Sequence, residues 1–471
     1  MPKLSFWTKV AYGSGDLSAA IVTSISAFFL LYFFTNVAGL DPGTAGLVLL
    51  VGKAWDAIND PLIGLWSDRT KSKYGRRLPW ITYGAIPFGI SFCLQWLVPT
   101  SDRTWLFWYY LVVAILFNTF YTVVNLPYTA LTAELTQDYQ ERTSLNSFRF
   151  AFSIGGSVLA LIMAQLIFTW VNPTATGGCN YRGYDLLAIA CSLIAIISIY
   201  TCVYGIRDRV LMIEQQRQQH HSSDLSPSLS IGQQFAIAFR NRPFLYVIGI
   251  YFCAWLAIQV TASILPYFVT DWMGLKTVDF IQVTLVIQIT ALVMLFVWGA
   301  ITNHLDKKVV YMLGIGLWLI AQAGLVGLQP GQAGLMYLLA ILAGSGISVA
   351  YLIPWSMVPD VIDLDQLHTG QRREGIFYGC MVFLQKIGLA LGLFILGQML
   401  KWSGFLEQAA CQNGEAAQMI LNQPETALTA IRLAIGPVPA LLLLASLVCA
   451  YFYPISREFH QRILQQLADK D

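Results

Sequence analysis

Two aspartates, Asp56 and Asp60, lie four residues apart in an apolar run of the sequence, residues 46–66. The run is long enough to cross a bilayer as one helix, and the spacing puts both carboxylates on one helical face, a turn apart. On insertion scales, each charge at the membrane centre costs roughly 2.5–3.5 kcal/mol. Two like charges on one face cost more still unless a cation or a basic side chain lies between them. The pair therefore predicts a site for a coupling ion.

The identity of that ion stays open at this point. Hard alkali cations prefer several oxygen ligands, and the carbonyl of Asn125 or a threonine hydroxyl could join the two carboxylates. A proton could neutralise the pair instead of Na⁺. Apart from the coupling ion, the sequence predicts no metal and no cofactor. The alternative is structural, with each aspartate bonded to Lys53, Arg149 or Lys386 only to neutralise a buried charge.

Lys53 and Lys386 are candidates for coupling, because ionisable residues within apolar runs are costly and are functional candidates by default. Lys53 shares the helical face of the two aspartates. Lys386 stands nine residues into a later run, about 14 Å deep at roughly 1.5 Å per residue, and we expect it to face Asp56 or Asp60. It would exchange partners as the ion enters, or it would form a fixed salt bridge between helices.

Several other residues within the apolar runs could bind a solute. The planar fork of Arg149 suits a hydroxylated or anionic ligand, although this side chain could instead extend to the interface. Asp16 could contact solute or only bond to a neighbouring helix. Aromatic side chains could stack on a sugar ring or line an acyl slot, although most of them pack or lie at the membrane interface. The predicted solute ligands are Asp16, Asn125, Tyr128, Arg149, Trp355 and Lys386.

The chain that positions these residues has the composition of an integral membrane protein. Of its 471 residues 56% are apolar and 11% are charged, with a mean hydropathy of +0.60, whereas soluble domains carry about 25% charged residues. The first apolar run is too long for a cleaved signal and is expected to be retained. Twelve runs of about 20 residues qualify as membrane spans. They lie near 14–37, 44–66, 79–99, 105–127, 148–171, 184–205, 244–270, 278–301, 309–329, 333–358, 377–400 and 429–453.

The longest polar stretch lies between the sixth and seventh runs and divides the chain into two halves of six helices. Lys and Arg residues favour one side of the membrane by about five to one, which places both termini in the cytoplasm. The predicted domains are an N-terminal bundle at 1–206, a cytoplasmic linker at 207–243, a C-terminal bundle at 244–455 and a cytoplasmic tail at 456–471.

The loop after the second run has a polar turn followed by a basic cluster, and residues 299–308, after the eighth run, repeat this pattern. The first copy resembles the signature loop of the major facilitator superfamily, GxxxDRxGRR, with a few residues inserted. The resemblance implies an all-α membrane protein with the major facilitator fold. In that fold, 12 transmembrane helices form two six-helix bundles, which open a central cavity to either side in turn. The predicted gating residues are Asp68, Arg69, Gly75, Arg76 and Arg77.

Two of the eight cysteines, Cys179 and Cys411, lie in predicted outer loops. These loops face an oxidising environment, in which disulfides persist. A disulfide that joins the two halves and a pair of unbonded thiols both remain open. The other six cysteines lie in apolar runs, where free Cys acts as a small apolar residue.

Segments in both halves resemble the glycoside-pentoside-hexuronide:cation symporter family. The most specific are WDAINDP at 55–61 and GRRLPWI at 75–81; others are YGSGD at 12–16, NLPYTALTAELTQDYQER at 125–142, PWSMVPDVIDLDQ at 354–366 and QKIG at 385–388. The resemblance implies that Asp56 and Asp60 bind sodium, lithium or protons. It also implies that Lys386 lies near that site and that Arg149 lies at the sugar cavity.

Two positions depart from the melibiose carrier of that family. Asn125 and Ala20 fall where that carrier has its two sugar-binding aspartates, so galactoside transport is not implied, whereas the cation site is intact. PWSMVPDVID, PYTALT and the outer-loop cysteines are also similar to the sodium-dependent lysophosphatidylcholine symporters of vertebrates. The solute therefore stays open between a sugar and a lysolipid.

We predict a secondary symporter that couples a monovalent cation, Na⁺ or H⁺, to uptake of an organic solute, a sugar or glycoside, by alternating access. A sodium-dependent lysophospholipid symporter is the alternative. No HExxH, GxSxG, Walker or Cys/His metal spacing occurs in the sequence, so an enzyme is not predicted, and no basic-aromatic stripe indicates nucleic acid. We expect a monomer in the cell (inner) membrane, whose partners are the solute, the cation and the bilayer.

Overall fold

The computed structural model describes residues 4–70, 72–135, 139–171, 181–219, 236, 238–302, 304–369, 374–406 and 423–468. These ranges form fourteen α-helices and one short π-helix, joined by turns and short loops. The helices are α1 (Phe6–Asn36), α2 (Pro42–Arg69), α3 (Leu78–Leu94), α4 (Arg103–Leu135), α5 (Tyr139–Val171), α6 (Tyr181–Gln219), α7 (Arg242–Tyr267), α8 (Thr277–Ile301), α9 (Lys307–Gly327), α10 (Ala333–Thr369), α11 (Glu374–Trp402), α12 (Glu425–Ile435), α13 (Pro437–Phe452) and α14 (Arg457–Ala468). The π-helix, Phe268–Trp272, continues α7.

The twelve predicted spans coincide with α1 to α11 and with the pair α12 and α13. In the described part of the chain, ten helical segments are long and apolar enough to cross a membrane. The last of these ten includes both α12 and α13, which are separated at Gly436 because Pro437 has no N–H group for a continuous helix. Helices α2 and α3 are not among these ten. Helix α3 has only 17 residues, and α2 carries Lys53 and the aspartate pair, which lower its hydropathy. An all-helical span is expected because lipid offers no hydrogen bonds to the backbone.

Side-chain caps fix the beginnings of several helices. The Asp41 carboxylate accepts a hydrogen bond from the Thr44 backbone N–H at 3.0 Å, and Pro42 occupies the first turn of α2. Asn241 caps α7 in the same way, with Phe244 N at 3.2 Å from its Oδ1. Such oxygens satisfy N–H groups that have no partner within the helix. Caps of this kind set where α2 and α7 begin. The starting residue in turn fixes which side chains lie on each face of the helix.

The chain divides into two compact units. The first consists of 1–224, 276–281 and 397–424, and the second of 225–275, 282–396 and 425–471. In the first unit, α1 packs against α5 and α6, and α4 packs against α2 and α3. In the second unit, α7 packs against α10 and α13, and α10 packs against α9. The α2–α4 and α1–α5 contacts are the ones that position the candidate site.

The helices extend beyond the apolar runs at their polar ends. Helix α6 continues to Gln219, so the first part of the predicted linker is helical, while its middle part lies outside the described residues. Most of the predicted tail forms α14, which packs on α10 and buries Ile463. The membrane-spanning pattern therefore locates the helices, and polar turns beyond it lengthen them.

Three aspartates near the end of α10, Asp360, Asp363 and Asp365, follow the last apolar stretch of that run, a position that favours exposure to water. All three are buried in the second unit, since α10 continues to Thr369 and α14 covers it. Lys307 lies 2.7 Å from Asp360, and His460 of α14 lies 3.0 Å from Asp363.

Candidate functional site

One face of α4 positions most of the candidate site. Asn118, Thr122, Asn125, Thr129 and Thr132 follow one another at spacings of four and three residues, which is the spacing of a single helical stripe. The rest of the helix is largely apolar, with a mean hydropathy high enough to span a membrane. A polar stripe on such a helix must face other polar groups, and here it faces α1, α2 and α5.

The two aspartates of α2 meet this stripe at Thr122. Its hydroxyl oxygen lies 2.8 Å from Asp56 Oδ1 and 3.1 Å from Asp60 Oδ1. Asp56 is only 1% exposed. Helices α2 and α4 approach closely because Gly52 has no side chain: a Cβ there would lie 3.1 Å from Ala114 Cβ and 3.2 Å from Asn118 Nδ2.

A hydroxyl group carries a single hydrogen and donates it to one acceptor at a time. Thr122 therefore cannot satisfy both carboxylates as a donor, and its oxygen keeps lone pairs that are available to a cation. The arrangement brings together three oxygen-bearing side chains, Asp56, Asp60 and Thr122, which are ligand types that hard cations prefer. Asn59, next to Asp60, is also buried, and its amide nitrogen has no hydrogen-bond partner among the described residues.

Lys53 lies one turn before the aspartates on α2 and, like them, forms a hydrogen bond to α4. Its Nζ donates to Asn118 Oδ1 at 3.0 Å and lies 5.8 Å from the ring centroid of Tyr121. Asn125, which the sequence predicts as a further ligand of the coupling ion, donates an amide hydrogen to the Tyr121 hydroxyl at 3.3 Å. The sequence offers the Asn125 carbonyl or a threonine hydroxyl as a further ligand of the ion site. In the structure, the hydroxyl of Thr122 contacts the carboxylates.

Asp16 and Arg149 form a forked ion pair between α1 and α5. Arg149 Nε lies 2.8 Å from Asp16 Oδ2, and Nη2 lies 3.4 Å from Oδ1. Arg149 Nη1 donates to Thr132 of α4 at 3.2 Å, and the guanidinium carbon lies 5.2 Å from the ring centroid of Tyr128. The Asp16 and Arg149 side chains are 13% and 19% exposed, so the arginine points into the unit and not to the interface.

Tyr12 and Tyr128 join α1 to α4 beside this ion pair. The Tyr128 hydroxyl donates to the Tyr12 carbonyl at 2.8 Å, and the Tyr12 hydroxyl donates to the Tyr128 carbonyl at 2.9 Å. A Cβ at Gly15 would overlap the Tyr128 ring. Glycine in the YGSGD segment therefore permits the approach that places Asp16 beside Arg149.

A small cavity lies between α1, α3, α4 and α6 of the first unit. Tyr121, Asn125 and Tyr128 of α4 line one wall, and Ser18 and Cys202 are among the residues opposite. Tyr121 contacts Lys53 and Asn125, and Tyr128 contacts Arg149. The cavity therefore adjoins both polar clusters.

In the second unit, Trp355 belongs to an aromatic cluster of α7, α10 and α11. Its ring lies 5.7 Å from that of Tyr251 and stacks on that of Tyr378 at 6.0 Å. Tyr251 in turn stacks on Trp255, which meets Tyr351 edge-on at 5.6 Å. These centroid distances fall in the range of favourable aromatic pairs.

Lys386 lies on α11 of the second unit and is partly buried. Two residues later, Gly388 packs on Trp255, since a Cβ there would lie 3.2 Å from its Cδ1. Because residues two apart point to different sides of a helix, Lys386 does not share the Gly388 face that packs on Trp255.

The predicted gating loop is held to the end of α4. Arg76 forms an ion pair with Glu134, and Arg77 Nη2 lies 3.6 Å from the same carboxylate. Gly75 adopts φ +84°, a left-handed conformation that favours glycine. Arg69 is exposed, and the Asp68 side chain lies outside what the structure describes.

The second copy of the internal repeat predicted from the sequence also forms an ion pair, within the second unit. Lys307, which follows α8, donates to both carboxylate oxygens of Asp360 and to the Ser356 carbonyl at 2.7 Å. Each half thus pairs a basic residue after its second helix with an acid near the end of its fourth. Cys179 and Cys411 lie outside the described residues, so their predicted pairing is not described.

Four residues of the site were not predicted from the sequence: Tyr12, Asn118, Thr122 and Thr132. A signal was present, because Asn118, Thr122 and Thr132 share the four-three spacing with Asn125. Tyr12 is different, since its role depends on a carbonyl of another helix, which no spacing within one segment reveals.

Comparison with known proteins places the chain in a family. The family model described as MFS/sugar transport protein matches residues 11–457. The chain belongs to this family. An uncharacterized symporter of Synechocystis sp. is 48% identical, with 99% of this chain and 97% of that protein covered. Sodium-dependent lysophosphatidylcholine symporter 1-A of Danio rerio is 26% identical, with 98% and 89% covered.

The fold is also that of solved transporters. The crystal structure of the nucleoside transporter NupG (D323A mutant) superposes with a TM-score of 0.63 over 94% of this chain and 99% of that one, at 14% identity. The major facilitator fold predicted from the sequence is thus confirmed. The protein is an integral membrane transporter of the cation-coupled symporter class and not an enzyme.

Proposed function

We propose that Asp56, Asp60 and Thr122 bind the coupling ion, Na⁺ or H⁺. The observation that carries this proposal is the single hydroxyl shared by the buried Asp56 and the partly buried Asp60, at 2.8 and 3.1 Å from their carboxylate oxygens. A cation among these oxygens relieves the repulsion between the carboxylates, and a proton on one carboxylate does the same. Asn125 remains a further candidate ligand, because it lies on the same stripe of α4 one turn away.

The solute is proposed to be a sugar or glycoside that contacts Arg149, Asp16, Asn125 and Tyr128. The forked donors of Arg149 and the acceptors of Asp16 suit vicinal hydroxyl groups. Trp355 of the second unit stays a candidate from the sequence for stacking on a sugar ring. These groups are polar side chains beside aromatic rings, which is the usual composition of a site that fixes the orientation of a small polar ligand.

Coupling is proposed to depend on the lysines. Lys53 is held by Asn118 one turn from the aspartates, and Lys386 is the basic candidate of the other half. Ion binding changes the charge that the Lys53 ammonium group experiences. A single positive charge that crosses with the solute gains about 2.3 kcal/mol per 100 mV of membrane potential, which drives accumulation by alternating access.

A lysophospholipid is the second candidate solute, and one relative supports it. That relative is named a sodium-dependent lysophosphatidylcholine symporter and matches nearly the whole chain. Arg149 would take the phosphate, and a quaternary ammonium group would favour an aromatic ring face through cation–π contacts. The sugar is preferred because Arg149 and Asn125 place polar groups beside the rings of Tyr128 and Tyr121.

The cellular setting is proposed from the charge pattern. The basic loops and both termini lie in the cytoplasm under the positive-inside rule, with the protein as a monomer in the inner membrane. The residues Asp68, Arg69, Gly75, Arg76 and Arg77 form a gate that is held closed or released through Glu134.

Uptake by proteoliposomes tests the proposal. The purified protein is assayed with a panel of labelled sugars and lysolipids under a Na⁺ gradient, under a proton gradient and with neither. The proposal expects accumulation of a glycoside, pentoside or hexuronide that depends on one of the two gradients. Accumulation of lysolipids alone would favour the second candidate, and gradient-independent flux of every solute would reject cation coupling.

A further inference from the structure

An exposed apolar surface covers the joined faces of α3 and α6, which pack against each other. Ile86 and Ile90 of α3 and Leu193 and Ile197 of α6 are each at least half exposed on it, at 50, 55, 54 and 63%. An apolar surface of this kind on a membrane transporter faces acyl chains. We call it the α3–α6 face.

This face ends in aromatic residues and then in basic ones. Tyr83 of α3 and Tyr204 of α6 are 75 and 69% exposed, and exposed tyrosines mark the level of the lipid headgroups. Arg207 follows Tyr204 by three residues and is also exposed, so it lies on the same side of α6. Its guanidinium is therefore at or just beyond headgroup level.

Arg207 and Lys73 both lie against the ring of Tyr74, in the loop before α3. The guanidinium carbon of Arg207 is 5.3 Å from the Tyr74 ring centroid, and Lys73 Nζ is 5.0 Å from it. The loop is fixed next to α6 at Gly75, where a Cβ would lie 3.2 Å from Val210 Cγ1. The structure thus holds two like charges close together at one ring.

The charges in this loop are compensated unequally. Arg76 and Arg77 share the Glu134 carboxylate, which balances one of their two charges. Among the described residues, neither Lys73 nor Arg207 has a carboxylate within salt-bridge distance. Two neighbouring cations without an acidic partner, at the headgroup end of an apolar face, form an anion-binding arrangement.

We propose that Lys73, Tyr74 and Arg207 bind the phosphate of an anionic phospholipid whose acyl chains lie along the α3–α6 face. Arginine binds phosphate through a planar fork of donors, and lysine binds it as a point charge. Basic clusters beside membrane-spanning helices recognise anionic headgroups in this way. The adjoining apolar face favours a lipid over free phosphate, and the site is independent of the ion-coupling proposal.

Native mass spectrometry of the full-length protein tests this site. The protein is mixed with phosphatidylglycerol or with phosphatidylcholine of the same acyl chains, and the retained lipids are counted. We expect selective retention of phosphatidylglycerol, reduced at least fivefold in the double variant Lys73→Gln, Arg207→Gln. Equal retention of both lipids by the native protein would overturn the proposal.

Controls separate this site from general charge effects. Arg240→Gln removes one exposed positive charge elsewhere and should retain lipid like the native protein, whereas Arg207→Gln should not. Tyr74→Leu keeps both charges but removes their common ring, and it should weaken retention as well. Equal losses in Arg240→Gln and Arg207→Gln, or displacement of the lipid by millimolar inorganic phosphate, would count against a lipid site. Size-exclusion chromatography confirms that each variant is folded.

Discussion

Replacing Thr122 with valine tests the geometry of the proposed ion site most specifically. Valine has nearly the shape of threonine but no hydroxyl, so the substitution removes the oxygen that lies 2.8 Å from Asp56 and 3.1 Å from Asp60. The interaction of the hydroxyl oxygen with a bound cation is taken to be as large as a hydrogen bond to a charged group, about 1.5–3 kcal/mol. Because about 1.4 kcal/mol corresponds to a tenfold change in affinity, binding of the proposed coupling ion, tested as Na⁺, should weaken roughly tenfold to a hundredfold.

Isothermal titration of Na⁺ into the purified protein measures this change, and the half-saturating Na⁺ concentration for uptake provides an independent value. Thr122→Ser keeps the hydroxyl and should stay within a few-fold of the native protein. Thr129→Val is a matched control on the same stripe of α4, since the Thr129 hydroxyl donates to the Leu126 carbonyl of its own helix. Native-like Na⁺ affinity in Thr122→Val, or an equal loss in Thr122→Ser, would refute the assigned role of the hydroxyl.

Three further predictions concern the positions of other residues. Arg149→Lys keeps the charge but loses the fork on Asp16, so the KM for solute should rise about tenfold or more, with little change in the Na⁺ dependence if the two clusters are distinct. Gly15→Ala places a methyl group in the Tyr128 ring and should cost about 1–3 kcal/mol by overpacking; thermal unfolding should show a lower Tm, whereas Gly155→Ala, with open space around it, should not. Asp360→Asn leaves Lys307 without its carboxylate and should also lower the Tm, whereas the exposed Asp208→Asn should have no effect.

The helices were predictable from the sequence, because a chain in lipid must satisfy its backbone hydrogen bonds within helices. Apolar runs of suitable length therefore locate α1 to α11 and the broken twelfth span. Their ends were less predictable, since helices continue into polar residues where neighbouring helices provide partners. Asp360 and Asp363 show this, because α14 and Lys307 bury a segment whose sequence favours exposure to water.

The candidate site was only partly predictable for a related reason. The spacing of Asp56 and Asp60 along one helix is a local property, and it marks the pair without any tertiary information. The partner at Thr122 depends on the register between α2 and α4, which Gly52 sets through close packing. The Asp16–Arg149 pair joins residues 133 positions apart, so only the packing of α1 on α5 reveals it.

Gradient-driven uptake by variants of the aspartate pair tests the central claim most directly. Asp56→Asn and Asp60→Asn keep the side-chain size and remove one charge each, and Asp208→Asn removes an exposed charge outside the site. In proteoliposomes with an imposed ion gradient, solute accumulation should disappear in the first two variants and persist in the third. Gradient-driven accumulation at the native level in Asp56→Asn and Asp60→Asn would contradict a coupling ion at this pair.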